Sequence, residues 1–514
     1  MHMPRRRAPL RRRAQISTQC RRGAALVLVA VIGLATPAGG AASPDAASTG
    51  PALDWASCRD RFECARLDVP VAHATPAGEQ VSIALIRTRA RIPARRVGTL
   101  VVNFGGPGDA GTETLPRALS QIPGPIRDRF DIVSFDPRGT GASRGIDCVD
   151  DATTDVRLAE DPTPDDPAEL QRFYTGENST VDVEGACIAR YGSWLAAVGT
   201  RNVARDLDRI RAALGERRLN FLGFSYGTVL GAVYAQEFPD RVRAMVLDAA
   251  VNLSASPEQE QEANAQGFER ALGKFLDWCA AAPACAFGSG GDPRTELSRL
   301  RDRFEAGLTL PAADGRRVGA APFYLAMIAS LYDRATGWPA LGAALRSATT
   351  GDGTVLQLLA DHYLGRDPAG RYSTLHEAIG LIRCADSPRP TVSFPEFRST
   401  FEDYRQRFPF FGPLIASSPI GCDARLPTPS PGDVLGDVTA APDAAVLVIG
   451  TTGDPATPYS GALDLSRRIA GSRVLTYDST EHSAYGRGVR CIDDAVNRYL
   501  ISRQLPPAGR RCRG

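Results

Sequence analysis

A chain of 514 residues is too long for one small core and provides for two or three domain-sized units. Its formal net charge of +2, with basic residues that are almost all arginine and scattered among acidic ones, argues against nucleic acid as a partner. Lys274 is the single lysine, so the charged residues read as a solvated surface.

The N-terminus departs from this neutral average. Arg5 to Arg7 and Arg11 to Arg13 precede an apolar run from Ala24 to Ala35, and small residues continue through Ala42. The run is too short to span a bilayer comfortably, and Ala38 to Ala42 offers the side chains a signal peptidase accepts, so residues 1–42 read as a secretory signal peptide. Residues 43–54 follow as a polar linker. Of the 11 cysteines, Cys20 lies in the leader and ten remain, an even number that in an exported chain invites disulfides. Pairing of sequence neighbours joins Cys58 to Cys64, Cys148 to Cys187, Cys279 to Cys285, Cys384 to Cys422 and Cys491 to Cys512. Spacing alone does not select this connectivity. No cysteine or histidine spacing matches a zinc site, and no metal is implied.

Structure is expected from Trp55 onward. Val81 to Arg87 alternates like a strand, and Thr99 to Phe104 is a continuous apolar run of the kind buried on both faces of a parallel sheet. The run ends in Asn103-Phe104-Gly105-Gly106-Pro107-Gly108, where the backbone must turn with its amides exposed. Phe130 to Phe135 is the next strand, followed by a turn from Asp136 to Ser143 in which Asp136 and Arg138 are given architecture and no chemistry. Asn202 to Leu214 reads as a helix, Arg218 to Leu222 as a strand, Tyr226 to Phe238 as a helix and Arg243 to Leu247 as a strand.

Between strand and helix lies Gly223-Phe224-Ser225-Tyr226-Gly227. A strand that turns into a helix this abruptly holds the serine in a strained conformation and exposes it, with glycines allowing the close approach. From Val251 to Pro442 helical patterns dominate: Glu258 to Cys279, Arg294 to Ala306, Ala321 to Tyr332, Leu341 to Ser347, Val355 to Tyr363 and Leu375 to Arg383. Strands then return at Ala445 to Ile449 and Arg473 to Tyr477, with helices over Tyr459 to Ile469 and Ile492 to Leu500. The layout is a βα sheet interrupted by a helical insertion: core residues 55–250 and 441–514, with a cap at 251–440.

An acyl-transfer serine needs a base and a carboxylate to fix its tautomer, in the order Ser, acid, His for this sheet type. Of the 5 histidines, only His482 follows the last expected strand. Asp454 stands just beyond the strand Ala445 to Ile449 and is the leading acid. Its other reading is a helix N-cap, and Asp478 is the runner-up. The amides of Gly106 and Tyr226 are placed to form an oxyanion hole.

The motifs Asn103 to Gly108, Asp136 to Ser143, Gly223 to Thr228, Gly453 to Pro458 and the His482 turn resemble those of the secreted tripeptidyl aminopeptidases of actinobacteria. These are relatives of proline iminopeptidase in the α/β-hydrolase superfamily. The resemblance covers nearly the whole mature chain, including Cys384-Ala385-Asp386 and the Cys491 region. It departs at Phe104, where the family has proline, and after Cys422, where the family's tryptophan is missing. It implies an α/β-hydrolase fold, a secreted or envelope-associated serine exopeptidase, no cofactor, and peptide or unfolded-protein N-termini as substrate. It also implies carboxylates for the substrate ammonium, with Asp386 and the Glu258, Glu260 and Glu262 cluster as candidates. A secreted carboxylesterase or lipase with the same triad, and a binding protein without catalysis, are the competing readings.

Overall fold

The computed structural model describes residues 53–418 and 421–513, so the expected signal peptide and all but the last two residues of the expected linker lie outside the described residues. Ten strands form one sheet. In chain order they begin with β1 (Ala56–Arg59), β2 (Phe62–Pro70), β3 (Gln80–Thr88), β4 (Gly98–Asn103), β5 (Phe130–Phe135), β6 (Leu219–Phe224) and β7 (Val242–Asp248). A two-stranded hairpin of β8 (Leu310–Pro311) and β9 (Arg317–Val318) follows, and then β10 (Val446–Thr451), β11 (Arg473–Asp478) and β12 (Arg511–Arg513) complete the large sheet. Its order is β1-β2-β3-β5-β4-β6-β7-β10-β11-β12, antiparallel from β1 to β5 and parallel from there on. This is the mostly parallel α/β-hydrolase sheet that the resemblance implied.

The apolar runs explain why the central strands lie where they do. Along β10, Val446 and Val448 face one hydrophobic cluster while Leu447 and Ile449 face the other. In β7, Met245 and Leu247 likewise oppose Ala244 and Val246. A strand covered by helices on both faces needs apolar side chains at every position, because each face then excludes water. Each such Val, Leu or Ile contributes about 1.5–3 kcal/mol on burial, as an upper bound.

The region between β7 and β10, called the cap below, carries helices Pro257–Ala281, Pro293–Glu305, Ala320–Leu331, Gly337–Thr349, Thr354–Leu364, Leu375–Asp386, Phe394–Arg407 and Gly412–Ala416. It has its own apolar cluster, in which Phe268, Phe275, Phe323, Trp338 and Phe411 pack together. The cap meets the sheet closely at Gly267, where a Cβ would fall 2.2 Å from the Pro455 carbonyl oxygen.

Several helices escape the sequence reading, the short Gly111–Ala118, Gly124–Arg129 and Gly412–Ala416 among them. Asp151–Ala159, Pro167–Thr175 and Val183–Tyr191 form an earlier helical excursion between β5 and the helix Thr200–Ala213, and Phe394–Arg407 adds another. Their apolar faces are weak, but their starts are marked. Asp150, Asp166 and Asp182 each accept main-chain N–H bonds as N-caps, and Ser393 with Glu396 forms a capping box. The five cysteine pairs are bonded as sequence neighbours, with Cα atoms 4.7–5.7 Å apart.

Arg138 has the architectural role expected and finds its carboxylate outside its own turn. Its side chain is fully buried and forks onto Asp206, with Nε 2.7 Å from Oδ2 and Nη2 2.7 Å from Oδ1. Further N–H groups reach the carbonyls of Pro70, Val71 and Ala197. Asp136 instead accepts from Thr112 and Ala142. Removing one partner of a buried ion pair leaves an uncompensated charge, at about 3–5 kcal/mol. Asp206→Ala is expected to destabilise the protein by about that amount, read as a lower urea midpoint.

Candidate active site

The elbow at Ser225 is built by close packing. Gly223 faces the Gly227 carbonyl, where a Cβ would sit 2.4 Å from its oxygen, and a Cβ on Gly227 would lie 2.7 Å from Asn103 Oδ1. A larger side chain at Gly223 would push helix Gly227–Glu237 off β6, and one at Gly227 would push it off the end of β4. Between them Ser225 adopts φ +51°, a left-handed conformation unusual outside glycine. Its amide donates to the Asp248 carbonyl at 2.9 Å, and its carbonyl accepts from the Thr228 amide at 2.9 Å.

Asp454 lies just beyond β10 and is 1 % exposed. Its Oδ1 accepts from the amides of Ala456 and Thr457, both at 2.9 Å, and Oδ2 accepts from Thr457 Oγ1 at 3.0 Å. His482 Nδ1 stands 2.9 Å from Oδ1 and 3.0 Å from Oδ2. The carboxylate therefore caps its own turn and holds the imidazole at once. A carboxylate at Nδ1 places the N–H there and leaves Nε2 as the basic nitrogen. Asp478 is turned away, ion-paired with Arg511.

Ser225 and His482 line one cavity of about 390 Å³ together with Phe104, Phe224, Ile122 and Arg487. Phe104 stacks on Phe224 at 6.1 Å, so the departure from the family's proline supplies part of this wall. The loop from Asn103 lies against the elbow, where a Cβ on Gly105 would fall 3.0 Å from the Tyr226 nitrogen. The Gly105 amide is taken by Asn103 Oδ1 at 3.2 Å, whereas the amides of Gly106 and Tyr226 have no acceptor among the described residues.

Asp386 has a different place from the amine-binding one expected. It is 2 % exposed and lines neither this cavity nor the larger one described next. Its oxygens accept from the Tyr226 hydroxyl and from the amide and hydroxyl of Thr200. Burial pushes its carboxyl up to about 6, against the pull of those donors. Asp386 thus anchors the residue that follows Ser225 to the start of helix Thr200–Ala213.

A larger cavity of about 620 Å³ opens between the cap and the earlier helical excursion, lined by Glu260, Gln261, Tyr332, His376, Arg383 and Arg389 among others. Tyr332 joins it to the site, its ring meeting the His482 ring edge-on at 4.9 Å. Of the three glutamates, Glu260 is the one in this wall, 2.9 Å from Arg383. Glu258 accepts from Ser256 and Glu262 pairs with Arg407. Gln261 Oε1 and the Nε atoms of Arg383 and Arg389 are buried without a protein partner. Asp423 and Leu426, in the turn that lacks the family's tryptophan, also line this cavity.

Sequence reasoning missed Asp248. Fully buried at the end of β7, it accepts from the amides of Ala484 (3.0 Å) and Tyr485 (2.8 Å), directly after the histidine. A carboxylate at the C-terminal end of a parallel strand was the available signal. Thr457, Tyr332 and Arg487 were missed as well: Thr457 bonds Asp454 three residues before it, whereas Tyr332 and Arg487 act through contacts far along the chain.

Residues 98–289 match the family described as alpha/beta hydrolase fold, and residues 408–512 the family described as TAP-like protein. Serine protease Hip1 of Mycobacterium tuberculosis is 36 % identical over 527 residues, covering 98 % of this chain and 99 % of its own. Carboxylesterase B of the same organism is 34 % identical over 494 residues, covering 92 % of each. Tripeptidyl aminopeptidase of Streptomyces lividans is 33 % identical over 482 residues, covering 90 % of this chain and 87 % of its own.

Burial also pushes Asp109 and Asp248 up to about 6. With Asp386, these groups keep native protons that the unfolded chain loses near its ordinary value of about 4. Between about pH 4 and pH 6 the folded state therefore binds more protons, and stability falls as pH rises. Urea midpoints taken at several pH values across that window are expected to decline, and Asp386→Asn to flatten the decline.

Proposed function

Because the chain belongs to the tripeptidyl-aminopeptidase-like family of α/β hydrolases, we propose that it is an exported serine exopeptidase removing short units, tripeptides among them, from free amino ends. The observation that carries this reading is the buried Asp454 carboxylate on His482 Nδ1, with His482 and the strained Ser225 lining one cavity. Ser225 Oγ attacks the scissile carbonyl while His482 Nε2 takes its proton, and Asp454 stabilises the imidazolium. The tetrahedral oxyanion is received by the amides of Gly106 and Tyr226, each contributing about 3–4 kcal/mol. His482 then protonates the departing amine, and water repeats the cycle on the acyl-enzyme. No cofactor takes part in these steps.

The larger cavity supports the choice of peptide substrate. Its volume lies in the range of about 300–1,000 Å³ usual for ligand sites. Glu260 offers an acceptor for a substrate ammonium, and the guanidinium groups of Arg383 and Arg389 in the same wall offer donors for peptide carbonyls. Five disulfides suit an extracellular protein, and no helix among the described residues is long and apolar enough to cross a membrane.

Ser225→Ala is expected to lower kcat by about 10⁴-fold or more with the fold intact, measured on tripeptidyl amides and by loss of fluorophosphonate labelling. Turnover retained in that variant would remove Ser225 from its role. Glu260→Gln is expected to raise KM about tenfold for peptides with a free amino end, one charged hydrogen bond's worth, and to leave N-acetylated peptides unchanged. Ester cleavage far faster than amide cleavage, indifferent to N-acetylation, would favour the carboxylesterase reading instead.

A further inference from the structure

The N–H of His482 is held directly from the cap, and its carbonyl is held by Arg487, which in turn pairs with Asp333 of the cap. The His482 N–H donates to the Tyr332 carbonyl at 3.0 Å. Its carbonyl accepts from Arg487 Nη2 at 2.7 Å, and Arg487 Nε donates to the next carbonyl, that of Ser483, at 3.1 Å. The remaining arm of that guanidinium, Nη1, reaches Asp333 Oδ2 at 2.9 Å. Asp333 follows Tyr332 directly, beyond helix Ala320–Leu331. Its other oxygen accepts from the amides of Ala335 (2.8 Å) and Thr336 (3.1 Å), so the carboxylate is already oriented before it meets the arginine.

The turn held in this way is strained. Ser483 adopts φ +67°, a conformation that a serine keeps only where its surroundings impose it. From the core side, Asp248 grips the amides of Ala484 and Tyr485. On the cap side, the grip on the two carbonyls before them is Arg487, set by Asp333. The side chains of Arg487 and Asp333 are 24 % and 32 % exposed, and an ion pair that wet adds little to stability. Its geometric effect is a separate matter. A displacement of about 1 Å at a reacting group can cost about 100-fold in rate, and the imidazole is carried on the peptide unit that Arg487 holds.

We propose that Asp333, acting through Arg487, is a positioning residue for the base, so that the cap must be seated for His482 to work. This inference rests on the reading of Ser225, His482 and Asp454 as the triad. The cap then has two tasks, walling the larger cavity and completing the posture of the histidine. The second affects every acyl substrate, however small, whereas the first affects only those long enough to occupy the cavity.

The test is a double-mutant cycle of Asp333→Asn and Arg487→Gln, with kcat and KM on a tripeptidyl p-nitroanilide, turnover of p-nitrophenyl acetate, the rate of fluorophosphonate labelling at Ser225, and the melting temperature. Each single variant is expected to lose about 10- to 100-fold in kcat on both substrates and in labelling rate, with peptide KM little changed and the melting temperature near that of the wild type. The double variant is expected to be no slower than the slower single one, because both changes cut the same link. Asp333→Glu, which keeps a charge within reach of Arg487, is expected to recover activity and guards against a loss due to misfolding. A rise in peptide KM alone, with acetate turnover and labelling untouched, would overturn the inference and leave the cap a mere wall. Additive losses in the double variant, or failure of Asp333→Glu to recover activity, would overturn it as well. A wild type that labels normally at Ser225 keeps the triad reading intact in each of those cases, and one that does not label overturns both.

Discussion

A carboxylate with 1 % exposure is tolerable only when its lone pairs are filled, and at Asp454 they are filled by the amides of Ala456 and Thr457, the Thr457 hydroxyl and the imidazole of His482. The rest of the site is arranged around that requirement. β10 delivers the aspartate at its C-terminal end, and Pro455 stiffens the turn that supplies the amides. β11 ends one turn before the histidine. Helix Pro257–Ala281 packs closely on this turn, meeting the Pro455 carbonyl at a residue with no side chain, Gly267. Dryness strengthens the bond to His482, because the same charges interact more strongly where water is excluded.

The cap is bound into the site at several points. Leu375 and Ala378 of helix Leu375–Asp386 press on Gly106 and Gly108 of the loop beside the elbow. The same helix ends in Asp386, which takes the hydroxyl of Tyr226 and so steadies the amide next to the nucleophile. Tyr332 touches His482 with both its ring and its carbonyl. Gly106, Tyr226 and His482, the proposed oxyanion amides and base, therefore each lean on the cap, which the sheet itself does not provide. Motions that lift such a cap change the catalytic geometry as well as access to it.

Cross-links hold this arrangement together at two scales. Arg138 and Asp206 tie the turn after β5 to helix Thr200–Ala213 within the core. The disulfides Cys148–Cys187 and Cys384–Cys422 close loops with sequence separations of 39 and 38, against 6 for Cys58–Cys64 and Cys279–Cys285. By loop-closure entropy the longer pair restricts the unfolded chain more. Cys384 and Cys422 also stand in the wall of the larger cavity, so that cross-link shapes it.

Much of this was legible in the residues taken one stretch at a time. Runs such as Val446 to Ile449 announce a strand buried on both faces, Gly223 to Gly227 announces the elbow, and the scarcity of histidines leaves His482 as the candidate base. These are local signals, set by side-chain period and by backbone sterics over a few residues, and they fix which elements form and in what order. The short helices before Thr200 were harder to see, since they bury little and are marked chiefly by their caps. What only the tertiary structure decided are the partnerships between residues remote in the chain. Asp386 is spent on Tyr226, 160 positions away, Glu260 is the glutamate that faces the cavity, and Asp248 and Arg487 hold the turn of the base. A carboxylate in a sequence carries the same charge whether it meets a substrate, an amide or an arginine. Folding alone selects the partner, because that choice is made by burial and by distance in space.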